Sequence, residues 1–263
     1  MTGTKRGVVS VVALVWATTL GSAQAQDELN LADATAALNS GNQGKVEIGI
    51  QSLGLLGDTA AVEALTTRVR RGLPRDLLQT AILALGTMGD PTAGPVLIEL
   101  TRHRSAEIRT RAVEMLAVLQ PPDAIPALMA ALSDQDSEVR AAAATGLGDM
   151  GAREALDTLF KAHERGVREA AIAIGKVVAA ADVPRVLAYV GRLPMPTLGP
   201  VLSLIIGRAD VDENARLQVI TRLSDLATPE VKAFLGEVLA THGATLPVRL
   251  RTAITTAAQQ IAD

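Results

Sequence analysis

The sequence predicts an all-α solenoid, a stack of antiparallel helix pairs. Three observations carry that expectation. A turn phrase returns at a near-constant interval, as Leu53-Gly54-Leu55-Leu56-Gly57-Asp58, then Leu85-Gly86-Thr87-Met88-Gly89-Asp90, then Leu147-Gly148-Asp149-Met150-Gly151. A second phrase keeps step with it, as Glu107-Ile108-Arg109, Glu138-Val139-Arg140 and Gly166-Val167-Arg168. Between the phrases apolar residues recur at three and four, as in Ile108, Ala112, Val113, Leu116 and Leu119, which puts them on one helical face. Units repeating at this period cannot bury their apolar faces alone and must stack on their neighbours.

At the N-terminus, Lys5 and Arg6 precede an uncharged apolar run from Gly7 to Leu20, and Ala23-Gln24-Ala25 supplies a small-x-small site. That layout is a secretory signal peptide over residues 1–25, so the chain is expected to be exported, to the periplasm or out of the cell. The strongly apolar part, Val8 to Leu20, is shorter than the roughly 20 residues of a spanning helix, so no membrane span is expected in the mature chain. The 263 residues include no cysteine. That excludes a lipoprotein, disulfides and thiolate metal sites.

Residues 26–42 hold a cap segment, with a helix over Leu31 to Leu38, because a stack needs a polar end. Five repeats follow over 43–191, at about 43–72, 73–104, 105–135, 136–164 and 165–191. Residues 192–263 hold divergent helical repeats and a second cap. There Pro194, Pro196 and Pro200 break the phrase, yet segments near 196–207, 212–226, 229–241 and 246–261 still pair.

Within a repeat, the first helix runs from the Val-Arg phrase to the Leu-Gly phrase. Gly57, Gly89, Gln120 and Gly151 share the register position that ends it, where glycine takes the left-handed conformation that stops a helix. Asp58 and Asp90 come next, placed to cap the free amides of the second helix, and Pro91 suits its first turn. Leu77, Ile108, Val139 and Val167 share another register position. Small residues such as Ala141 to Ala144 let neighbouring helices approach closely.

The run Val139-Arg140-x-x-Ala143-Ala144-x-x-Leu147-Gly148 resembles the HEAT repeat, and the short Leu-Gly-x-x-Gly-Asp units resemble the HEAT-like repeats first grouped with phycobilisome lyases. The resemblance covers 43–191 well and 195–261 poorly. It implies an α-solenoid used as a scaffold for another protein, its concave face built from the second helices. It also implies that Arg109, Arg140 and Arg168 are structural ties, each pairing with a turn aspartate of a neighbouring unit. A second expectation is an accessory subunit resembling the bilin lyase or isomerase proteins that share these repeats.

No catalytic, cofactor or metal site is expected. Gly146-x-Gly148-x-x-Gly151 matches a dinucleotide fingerprint, but it follows an alanine-rich helix where the fingerprint needs a strand. The three histidines, His103, His163 and His242, each fall at a helix C-terminus, where a basic residue complements the helix dipole. They are too far apart in the stack to share an ion. A serine hydrolase is not expected, because no G-x-S-x-G elbow is present. Asp134-x-Asp136 lacks the glycine and distal glutamate of a calcium loop. Nucleic acid is excluded as a partner by charge and aromatics. The net charge is −3, and loss of Lys5 and Arg6 with the signal takes it to −5. Beyond Trp16 the aromatics are only Phe160, Tyr189 and Phe234, too few for base stacking.

One charge pattern stands out. Basic residues gather at the ends of successive second helices: Arg68, Arg70 and Arg71, then Arg102, His103 and Arg104, then Lys161, His163 and Arg165. Stacking lines these ends up along one edge. They either offset helix dipoles or form a ridge, made of Arg68, Arg71, Arg102, Arg104, Lys161 and Arg165, that docks an acidic protein partner. Asp134 and Asp136 interrupt it in the third repeat.

Overall fold

The structure, a computed structural model, describes residues 30–262, so the expected signal peptide at 1–25 lies outside the described residues. A short helix α1 (Leu31–Leu38) opens the stack. Helix pairs follow: α2 (Gln43–Leu56) with α3 (Thr59–Arg71), α4 (Arg75–Thr87) with α5 (Gly94–Leu100), and α6 (Ala106–Leu119) with α7 (Ala124–Ala131). Then come α8 (Ser137–Asp149) with α9 (Leu156–Glu164) and α10 (Arg168–Val177) with the five-residue α11 (Val183–Leu187). The last pairs are α12 (Met195–Gly207) with α13 (Glu213–Ser224), and α14 (Pro229–His242) with α15 (Val248–Gln260). Among the described residues there is no strand, only an isolated bridge between Val190 and Leu193.

Local chemistry sets the joints. Gly57, Gly89 and Gly151 have φ of 64°, 75° and 64°, and Gln120 holds the same left-handed turn at 52° without the freedom of a glycine. The Asp58 side chain accepts from the Ala61 amide at 2.7 Å. That of Asp90 accepts from the Thr92 amide at 2.9 Å and from the Thr59 hydroxyl of the preceding repeat at 2.8 Å. Together these bonds hold the Asp90 carboxyl below the usual carboxylate range, the Thr92 amide contributing most. Asp136 and Asp212 cap α8 and α13 in the same way. Pro200 lies inside α12, which continues past it.

The core is continuous from Ala34 to Ile261, so every pair shares apolar surface with the next. The two helix rows pack differently. First helices α2, α4, α6, α8, α10 and α12 press on one another in sequence, whereas successive second helices from α3 to α11 touch only sparsely. The close row depends on small residues: a Cβ at Gly148 would fall 2.9 Å from the Ala173 Cα, in the next first helix. The first helices therefore form the close-packed row of the solenoid and the second helices the open one.

The fifth pair also departs from expectation. The buried set Ala143, Ala144, Gly146, Leu147 and Gly148 of α8 returns in α10 as Ala170, Ala171, Ala173, Ile174 and Gly175, a step of 27 residues. A connection of only Arg165, Gly166 and Val167 separates α9 from α10. That shortening moves Arg168 out of the register of Arg109 and Arg140.

Candidate docking edge

The edge at the C-terminal ends of the second helices is built around two arginines. Arg109, in the first turn of α6, reaches back so that Nη1 donates to the carbonyls of His103 at 3.0 Å and Arg104 at 3.3 Å. Its Nε and Nη2 fork onto the Asp134 carboxylate at 2.8 and 2.7 Å. Both side chains are almost enclosed, 7% and 13% exposed. Hydrogen bonding from Arg109 holds the Asp134 carboxyl below its usual range against the opposing effect of burial, and the same bond raises the guanidinium. Asp134 therefore closes a repeat-to-repeat tie and does not oppose the basic ridge.

Arg140 reproduces the local half of this tie, with Nη1 donating to the Asp134 carbonyl at 2.8 Å and the Gln135 carbonyl at 2.9 Å. The following turn, Arg165-Gly166-Val167, offers it no carboxylate. Arg168 is not a tie. It is the exposed first residue of α10, without the long preceding turn that Arg109 and Arg140 bind.

The ridge residues separate into used and unused side chains. Arg68 donates to the Leu38 carbonyl at 3.3 Å and to the Gly72 carbonyl, fastening α3 to α1. Arg165 turns back on the Lys161 carbonyl at 3.2 Å, with Ser133 Oγ at 3.4 Å. Lys161 is exposed; the Asp157 carboxyl is held below its usual range chiefly by its hydrogen bond from Arg185, with Lys161 adding the smallest share. Arg70 makes a two-pronged pair with Glu99 across α3 and α5, at 3.1 and 2.8 Å. Arg71, Arg102 and Arg104 have no ion-pair partner among the described residues and stand exposed.

His163 does not belong to the rim. It is buried, with neither ring nitrogen hydrogen-bonded, and burial lowers its pKa. Its ring meets Tyr189 edge-on at 6.3 Å, Tyr189 stacks on Phe160 at 5.4 Å, and the tyrosine hydroxyl donates to Glu164 Oε1 at 2.7 Å. Arg185 sits over the Phe160 ring at 4.2 Å and pairs with Asp157. His242 lies 3.0 Å from Ser203 Oγ through Nε2, a contact between α14 and α12 that the sequence spacing did not reveal. Its Nδ1 packs against Gly207, where even a methyl group would collide. No group of three or more His, Asp or Glu among the described residues is placed to hold a metal ion. No helix among them is long and apolar enough to cross a membrane.

Between the sparsely touching helices α5 and α7 the edge opens into a groove of about 1010 Å³. Pro95, Ile98, Pro126, Ala127 and Ala130 form its walls. Arg102, His103, Arg104 and Gln135 stand at one end and Asp123 at the other. The His103 Nδ1 accepts from the Ser105 amide at 3.1 Å, which fixes the ring at that rim.

The stacked pairs, their left-handed joints and the arginine ties define a repeat protein of the α-solenoid class. Residues 94–175 match the model for HEAT repeats and residues 78–103 that for the PBS lyase HEAT-like repeat, so the middle of this solenoid is built of HEAT-type repeats. Among solved structures it is similar to the complex of CpcE and CpcF of phycocyanin lyase from Nostoc sp. PCC7120, at 20% identity over 92% of this chain and 98% of that one, with a TM-score of 0.50. It is similar also to human deoxyhypusine hydroxylase in complex with glycerol, at 17% identity over 95% and 98% of the two chains and a TM-score of 0.43. These likenesses speak to the fold alone. No curated protein matches the sequence.

Proposed function

We propose that this chain is an exported, non-catalytic scaffold that binds another protein along the second-helix edge of its solenoid. One observation carries the reading: Arg71, Arg102 and Arg104 stand exposed and unpaired along that edge, in a chain whose net charge is −3. Several other cations close the stack, as Arg70 does with Glu99, Arg109 with Asp134, Lys176 with Asp149 and Arg185 with Asp157. Charges left free at an edge steer and select a partner of opposite sign more than they stabilise the fold. The N-terminal layout of Lys5, Arg6, the apolar run and Ala23-Gln24-Ala25 supports export.

Crosslinking of the exported form in envelope extract tests this. A discrete protein partner is expected, captured less at high salt and lost with Arg102→Glu plus Arg104→Glu. Recovery of nothing above background removes the reading. The match of residues 78–103 to the PBS lyase HEAT-like repeat favours a second reading, an accessory subunit that handles a bilin or a bilin-bearing protein. Mixing the purified chain with a bilin and finding no change in its absorption spectrum would exclude direct bilin binding.

A further inference from the structure

We infer that the groove between α5 and α7 is the seat for an extended, acidic-tailed segment of the partner protein. The inference rests on the scaffold reading and makes it specific.

Two parts of the groove ask for different chemistry. The walls are apolar and carry little to donate. Pro95 and Pro126 stand at equivalent places in consecutive repeats, near the starts of α5 and α7, and proline has no amide hydrogen to offer. Ile98, Ala127 and Ala130 continue the same surface. A free anion would leave these walls uncovered, whereas a chain segment covers them. The space of about 1010 Å³ lies at the upper end of the range of roughly 300–1,000 Å³ for ligand clefts, enough for several residues laid lengthwise.

The end beyond the helix C-termini is cationic. Arg102 and Arg104 are free there, and Asp134, the one carboxylate lining that end, is already occupied by Arg109. Asp123 lies at the opposite end, ahead of α7. Because α5 and α7 run the same way in consecutive repeats, positive charge stands at one end of the groove and negative at the other. This polarity fixes the orientation of the guest: apolar residues along the proline wall, carboxylates toward Arg102 and Arg104, and none beside Asp123. A uniformly acidic segment would be repelled at Asp123, and an apolar one would leave the arginines unanswered.

The test uses fluorescence anisotropy of the mature chain with a fluorescein-labelled peptide of alternating leucine and proline followed by a run of glutamates. Binding is expected, weakened about tenfold or more when glutamine replaces the glutamates, as for loss of charge pairing at an interface. Ala130→Trp fills the groove from an exposed position and is expected to weaken binding by a similar factor. Arg102→Glu with Arg104→Glu, beyond the helix end, gives an independent arm that leaves α5 and α7 intact. Thermal unfolding of each variant checks that the stack is preserved. Unchanged affinity in Ala130→Trp overturns the groove as the seat. So does absence of any binding by the wild type. If envelope crosslinking still captures a partner in either case, the scaffold reading stands and only the groove fails. If capture also fails, both fall.

Discussion

Replacing Arg109 by methionine removes four donated hydrogen bonds, two to Asp134 and one each to the carbonyls of His103 and Arg104. Asp134 keeps only the Asp136 amide, at 2.8 Å, as a direct donor. Its carboxylate is then almost enclosed, at 13% side-chain exposure, with no counter-ion in contact. Breaking such a pair from one side costs about 3–5 kcal/mol, and residual contact with water places this case near the lower end, at about 3 kcal/mol. Arg140 provides the internal control. It binds two carbonyls and no carboxylate through direct hydrogen bonds, so Arg140→Met should cost about 1 kcal/mol. Urea unfolding followed by helical circular dichroism measures both. The double variant Arg109→Met with Asp134→Leu should recover much of the loss, because neither charge is then stranded. The pH dependence has a defined sign. The carboxyl of Asp134 is depressed in the folded state, so its contribution is present above the ordinary carboxylate pKa of about 3.9 and lost as pH falls through the lower folded value. The gap between wild type and Arg109→Met should therefore close in that acid range. A loss in Arg109→Met no larger than in Arg140→Met would refute the idea that this tie holds consecutive repeats together.

Four further outcomes are expected. Gly49→Ala should destabilise by at least about 2 kcal/mol in thermal or urea unfolding, because the new Cβ would lie 2.4 Å from the Leu38 backbone nitrogen. Gly236→Ala, in α14 with nothing within 4 Å, should instead stabilise by about 0.5–1 kcal/mol. Gln120→Gly should raise the urea midpoint by the equivalent of roughly 0.5 kcal/mol, since glycine accepts the φ of 52° at less strain. His163 is buried without a partner and its pKa is lowered by desolvation, so the unfolded chain takes up a proton first. Stability should fall as pH drops below the ordinary histidine value of about 6.5, and His163→Phe should flatten that limb of the pH–stability curve.

Much of the architecture was legible because the joints use residues with one physical purpose. A left-handed turn followed by a capping carboxylate gives a short, repeated signature, and register alone picked out Gln120 although its side chain gives no hint of a turn. The fifth pair was harder. Val167-Arg168 imitates the earlier phrase, but the short connection after Gly166 shifts the helix start, and only the buried set from Ala170 to Gly175 reveals the step. The unequal packing of the two helix rows depends on how closely α8 and α10 approach at Gly148 and Ala173, a three-dimensional outcome of many small side chains. His163 misled because basic neighbours surround it in sequence, while its ring turns inward to Tyr189. At the edge, the sequence showed which cations gather there but not which are engaged. Arg68 and Arg165 bind backbone carbonyls, and Arg102 and Arg104 do not. The groove had no sequence signal, since it is the space left where two second helices fail to meet.

The most direct measurement places a photo-crosslinking amino acid at Ala130, in the groove, or at Val118, exposed on the first-helix side, in the exported protein in intact cells. Irradiation should yield one discrete protein adduct from position 130, none from position 118, and a weaker adduct when Arg102 and Arg104 are reversed in charge. Equal labelling from both positions, or an adduct from 118 alone, would contradict binding along the second-helix edge.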